Sequence, residues 1–304
     1  MLLSMYIVMY LFLGGCTAGL LLIAAMYSVV FYRRRGAAPE EIAAFERFSA
    51  RCYLVAFILV LASSSCLVFD LGSPRKLLML FLHPTLTVIS FGAYILATTV
   101  LVLAFLCFLS YLMPRDTPRV LRLRRIAKIL AVFCSIALMS YTGVFLAMVN
   151  SVPLWNTPLT VVLFVLSALS AGSAISSLIK AVTLGGGGFA APDDNSHHVW
   201  HAVIIAIEIL ALAAFAVQAL FRTQVAVQRS IQLVLGGPLL GWLVGGVLVL
   251  GMLLPLAAEV ALARARKGKG VLVSPQARFC VPADVACLLG CFLLRYCLVA
   301  AGLH

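Results

Sequence analysis

The chain has 304 residues, 64% of them apolar and 11% charged, with a mean hydropathy of +1.14. A soluble domain is about a quarter charged and under half apolar, so this composition excludes a water-soluble globular protein and makes the lipid bilayer an obligatory partner. The formal charge of +12 invites nucleic-acid binding, but the basic residues punctuate the apolar runs instead of forming one patch, and no nucleic acid is expected.

Eight runs are long and apolar enough to cross a bilayer, each needing about 20 residues. They lie at roughly 5–31, 52–69, 86–112, 127–149, 158–181, 199–221, 236–262 and 280–302. Hydrocarbon offers no partner to an unpaired amide, so each run must be a helix. Short connections predict an all-α bundle of eight transmembrane helices, a single polytopic membrane domain over 1–304. The opening residues MLLSMY lack a positive n-region, so the first run is expected to be a retained helix and not a cleaved signal.

Loop charge sets the expected orientation. Arg33, Arg34, Arg35, Arg47 and Arg51 fall in the first loop, and Arg115, Arg119, Arg122, Arg124, Arg125 and Lys128 in the third. Lys180 is in the fifth, and Arg264, Arg266, Lys267, Lys269 and Arg278 are in the seventh. The even loops hold only Arg75, Lys76, Arg222 and Arg229. By the positive-inside rule the odd loops face the cytoplasm and both termini face outward, to the periplasmic side.

The longest loops are 32–51 and 182–198, the latter reading VTLGGGGFAAPDDNSHH, a flexible cytoplasmic link. No internal repeat is evident. GGCTAG at 14–19, together with Ser170, Ser173 and Ser177, places small residues at helical spacing, as close helix packing requires. None of the nine cysteines forms C-x-x-C and nearly all lie in the runs, so neither a disulfide framework nor an iron–sulfur site is expected in this chain.

Ionisable groups are scarce, yet FDLGSPRKLLMLFLHP (69–84) carries Asp70, Arg75, Lys76 and His83. The predicted topology puts them at the outer surface. Tyr141 lies in the outer half of span four, Trp155 and Asn156 follow in an uncharged outer loop, and Arg295 lies about two thirds of the way across span eight. Interfacial aromatics, a snorkelling Arg and a good turn account for some of these residues. An Arg within a span, however, faces the bundle interior and has a partner, and Asp70 is the nearest candidate in depth.

The five histidines offer no pair at matching depth on facing helices, so no haem is expected. His197 and His201 share a helix face, but no Cys is close in sequence to complete a zinc site, and no metal is expected. Glu208 lies roughly 13 Å inside span six, on the face that carries His201. The pair reads either as half of a proton path from the cytoplasm or as a neutral structural tie. With no haem and no cluster motif, a redox role would need a partner that brings its own cofactor.

Four blocks resemble one family: YLFLGGCTAG at 10–19, FDLGSPRKLLMLFLHPTLTVISFGAY at 69–94, YTGVFLAMVNSVPLWNTPLTVVLFVLSALSAG at 141–172 and LLRYCLVAAG at 293–302. They are similar, in order and over nearly the whole chain, to the NrfD/polysulfide-reductase membrane-subunit family. The resemblance implies an eight-helix anchor in the inner (cytoplasmic) membrane that binds menaquinone or ubiquinone near its outer face. It further implies electron exchange with a ferredoxin-like iron–sulfur subunit docked on that face, and through it with a catalytic reductase subunit. The family's D-L-G-x-P acid falls on Asp70, its basic residue on Arg75, the His of H-P on His83 and the Tyr of Y-T-G on Tyr141. Its W-N pair falls on Trp155 and Asn156, and the Arg of its terminal L-R-Y on Arg295. Some members place an Asn and a His just before the glycine block; here only Ser4 and Tyr6 are polar, which makes Tyr6 the further candidate contact. Two other expectations stand beside this one: a proton-translocating module with Glu208 as its relay, and a secondary transporter, which would favour broken helices and paired repeats.

Overall fold

The computed structural model describes residues 5–33, 38–72, 87–113, 117–149, 152–184, 194–237, 239–267 and 277–302. Among them the chain is all-helical. The helices are α1 (Met5–Arg33), α2 (Pro39–Leu71), α3 (Val88–Tyr111), α4 (Pro118–Ala147), α5 (Pro158–Leu184), α6 (Asp194–Phe221), the short α7 (Val225–Gly236) and α9 (Ala277–Gly302). Between the last two, α8 runs through Leu239–Gly241, a π-helical stretch Trp242–Leu253 and an α-helical stretch Leu254–Lys267. Eight of these are long and apolar enough to cross a membrane, so the chain is a multi-pass membrane protein.

Helix ends follow local chemistry. Proline stands in the first turn of both α2 and α4, where its missing N–H is not needed. Thr87 caps α3, its hydroxyl accepting from the Ser90 amide. Gly72 ends α2 with φ 71°, a left-handed conformation that glycine adopts without strain, and this explains the glycine of D-L-G.

The helices outrun the predicted spans at the basic end. Arg47 and Arg51 lie on α2, and Arg119, Arg122, Arg124, Arg125 and Lys128 lie on α4, not in loops. A helix already satisfies its own amides, so it continues through the interfacial region until a proline start sets its limit. Arg124 is buried, donates to the Leu109 carbonyl of α3 and pairs with Glu46 of α2 at 3.4 Å. It clamps three helices.

Helix α1 is the hub, packed against α2, α4, α5 and α9. It crosses α5 where Gly19 meets Gly172 with no room for a side chain, since a Cβ on either would collide with the other helix's backbone. The small-residue spacing of GGCTAG thus packs as expected. A second backbone approach joins α8 to α9 at Gly251 and Gly290.

Gly172→Leu is expected to destabilise the detergent-solubilised protein by at least the 1–3 kcal/mol of an overpacked core. Gly14→Ala, whose Cβ would meet Ser63 Oγ at 3.4 Å and Thr142 Cγ2 at 4.0 Å, both ordinary contacts, should unfold near the wild-type temperature. Thermal melts of the two variants check this.

Candidate functional site

At the Asp70 end, α1, α2 and α4 bring polar and aromatic groups together, with α3 packed against them. Asp70 closes α2 half-buried, next to Phe69, whose ring lies 6.0 Å from that of Tyr6 on α1. One turn further along α1, Tyr10 is buried beside Tyr141 of α4. The Tyr10 hydroxyl faces that of Tyr141, so the two phenols form a pair. Tyr141 fits because α3 presents Gly92 to it; a Cβ there would overlap the phenol ring. Arg75 and His83 lie outside the described residues.

Trp155 and Asn156 serve the turn before α5. The Trp155 indole is fully buried and donates to the Leu298 carbonyl of α9 at 2.8 Å. Asn156 is exposed, and its backbone carbonyl accepts from Arg222, which also binds the Pro153 carbonyl at 2.7 Å.

The partner expected for Arg295 is corrected. Its guanidinium is level with Gly15, which lies roughly 13 Å along α1 from Tyr6, the neighbour of Phe69 and Asp70. That distance exceeds the reach of an Asp. Arg295 instead donates to Ser167 Oγ at 2.8 Å and to the Cys291 carbonyl at 2.9 Å. The Phe12 and Phe164 rings flank it, with centroids 5.9 and 5.3 Å away. Glycine at position 15 is needed here, because a Cβ would stand 2.6 Å from the guanidinium. Glu208 is its acidic neighbour, fully buried and facing Ser167, Ser170 and Arg295.

A polar column descends from Glu208 to the basic end. Ser170 Oγ meets Cys287 Sγ at 3.2 Å, and Cys287 Sγ lies 3.9 Å from His201 Nε2. His201 Nδ1 donates to Glu259 Oε1 at 2.7 Å, and His198 Nδ1 donates to the other oxygen of that carboxylate. Asp284 of α9 completes the group, beside Ser177 and with a carboxyl oxygen within 4.8 Å of His201 and Glu259 ligand atoms. The serines of α5 therefore carry polar contacts as well as close packing. Glu208 and His201 belong to one column, as their shared face predicts.

Sequence reading missed Tyr10, Ser167, Glu259 and Asp284. A signal was present for the two acids, since any carboxylate inside a span marks an interior position with a partner. Their separation from the histidines by more than 50 residues hid the contact. A further groove, of about 340 Å³, opens between α6 and α8 at the basic end, lined by Val199, Val203, Leu256 and Val260. Its lining is almost wholly apolar, with Arg264 at one side.

The fold and these buried groups define a multi-pass helical membrane protein with ionisable side chains carried through its interior. The chain belongs to the NrfD (polysulphide reductase) family, whose model matches residues 2–304. It is similar to Protein NrfD of Escherichia coli (strain K12), 25% identical over 316 residues that cover 97% of this chain and 93% of the relative.

Arg295 and Glu208 should be energetically coupled. In a cycle of Arg295→Met, Glu208→Gln and the double variant, denaturation in detergent is expected to yield an interaction energy of about 0.5–3 kcal/mol. Strict additivity would mean that the two groups do not sense each other.

Proposed function

We propose that this chain is the quinone-reactive membrane subunit of a respiratory oxidoreductase complex. It lies in the cytoplasmic membrane with both termini outward, and it exchanges electrons with an iron–sulfur subunit docked on the outer face. Family membership supports the class. The observation that carries the site is the pair of phenols, Tyr10 buried against Tyr141, one turn along α1 from Tyr6 and its neighbour Phe69 beside Asp70.

Menaquinol or ubiquinol bound here would supply two electrons and two protons. Tyr141 and Tyr10 donate hydrogen bonds toward a ring oxygen and fix its position. Asp70, at the rim and half-buried, accepts the two protons one after the other and passes each to solvent. Phe69 and Tyr6 give the ring an apolar contact open to lipid. This chain's histidines and cysteines offer no haem or cluster site by the spacing of its sequence, so the electrons leave through the partner subunit and the catalytic reductase subunit beyond it.

Tyr141→Phe and Asp70→Asn, measured in the intact complex, should each lower quinol oxidation by on the order of tenfold or more, a loss of at least about 1.4 kcal/mol at the transition state. Undiminished rates in both would remove this assignment.

One observation favours a second reading, proton translocation: the buried column from His198 through Glu259, His201, Cys287 and Ser170 to Glu208 and Arg295. Its groups can hold and hand on protons across half the bundle. On this reading Glu208→Gln lowers the proton-to-electron ratio in proteoliposomes while quinol still binds; an unchanged ratio would end it.

A further inference from the structure

We propose that the basic-end cluster of His198, His201, Glu259 and Asp284 is a zinc site that ties α6, α8 and α9 together. The proposal goes beyond the quinone reading and does not depend on it.

The donors come from three helices. His198 and His201 project from the second turn of α6, Glu259 from the α-helical part of α8, and Asp284 from the second turn of α9. All four are at least nine-tenths buried, with exposures of 4%, 1%, 5% and 3%. One ligand atom each from His201, Glu259 and Asp284 falls within 4.8 Å of the others. Ligand atoms on a tetrahedral zinc with bonds near 2.1 Å stand roughly 3.4 Å apart, so a closure of about an ångström completes three corners. His198, already on the second oxygen of Glu259, either fills the fourth corner or orients that carboxylate from behind.

Two features call for a cation here. Asp284 Oδ2 is buried with no hydrogen-bond partner among the described residues, an arrangement costly for a carboxylate in apolar surroundings. It sits on the acid that already lies among the other donors. The second feature is charge: two carboxylates and two neutral imidazoles balance a divalent ion with no remainder, so burying the filled site leaves no net charge. The mixture of nitrogen and oxygen donors selects zinc. Calcium and magnesium favour shells made of oxygen alone, and copper(I) favours sulfur. Cys287, 3.9 Å from His201 Nε2, adds a polarisable neighbour without which the three corners still close.

The experiment strips the purified full-length protein with chelator, confirms its helix content by circular dichroism, and adds zinc chloride alone. The expected result is one zinc per chain retained through dialysis, with a melting temperature that rises with zinc concentration. Cobalt(II) in its place should give the visible bands of a tetrahedral ion. Glu259→Gln and Asp284→Asn should each weaken zinc binding by tenfold or more, while Glu208→Gln, deeper in the column, keeps it. Should one of the two ligand variants fail to fold, His198→Asn tests the same site from α6 and should lower affinity in the same sense. A folded wild-type protein that holds no more zinc than the folded Glu259→Gln or Asp284→Asn variant would overturn the proposal.

Discussion

Holding one guanidinium inside an apolar bundle constrains everything around it. Arg295 cannot shed its charge and cannot be left bare, because an unpaired ion at this depth costs several kcal/mol. Its surroundings meet that need through Nη1, from which a hydroxyl and a carbonyl accept, through two flanking rings and through Glu208 within electrostatic reach, while Nε and Nη2 have no hydrogen-bond partner among the described residues and position 15 carries no side chain. The last of these draws α1 close to α9, and the same helix reaches its closest contact with α5 one turn on, at Gly19. The polar interior and the tight packing of the hub are therefore one design. Backbones must approach closely for so short a side chain as Ser167 to reach the cation.

The polar interior has two ends of different character. At the Asp70 end the groups are phenols and a half-buried acid beside lipid-facing aromatics, an arrangement that can grip and deprotonate a small apolar ring. At the basic end the groups are imidazoles and carboxylates drawn from α6, α8 and α9; His198 and His201 both pair with Glu259, while Asp284 Oδ2 has no partner among the described residues. Arg295 and Glu208 stand between these ends. A charge that changes near Tyr141 is felt by Arg295 across a water-poor interior, where electrostatic interactions fall off slowly.

Much of this was legible in the sequence. Hydropathy located all eight spans, because lipid leaves a chain no alternative to the helix. The glycines of the first span announced close packing, and the shared face of His201 and Glu208 placed both in one column. Helix ends at the basic side were not legible, since an interfacial helix costs nothing in hydropathy and only Pro39 and Pro118 mark the true starts. The partner of Arg295 was misjudged because depth was read from span fractions alone; Ser167, an unremarkable residue in the sequence, proved to be the acceptor. Glu259 and Asp284 escaped for a different reason. Each is a lone acid in its own span, and only the packing of α8 and α9 against α6 brings them to the histidines.

The claim on which the account turns is that a quinone ring sits between α1 and α4 at the Asp70 end. Photolabelling of the intact complex in native membranes with an azido-quinone, followed by peptide mapping, tests it most directly. Adducts on the segments around Tyr6–Tyr10 and Tyr141, suppressed by excess natural quinone, are the predicted result. Suppressible adducts confined to the α6–α8 groove around Val203 and Leu256, with none on α1 or α4, would contradict it.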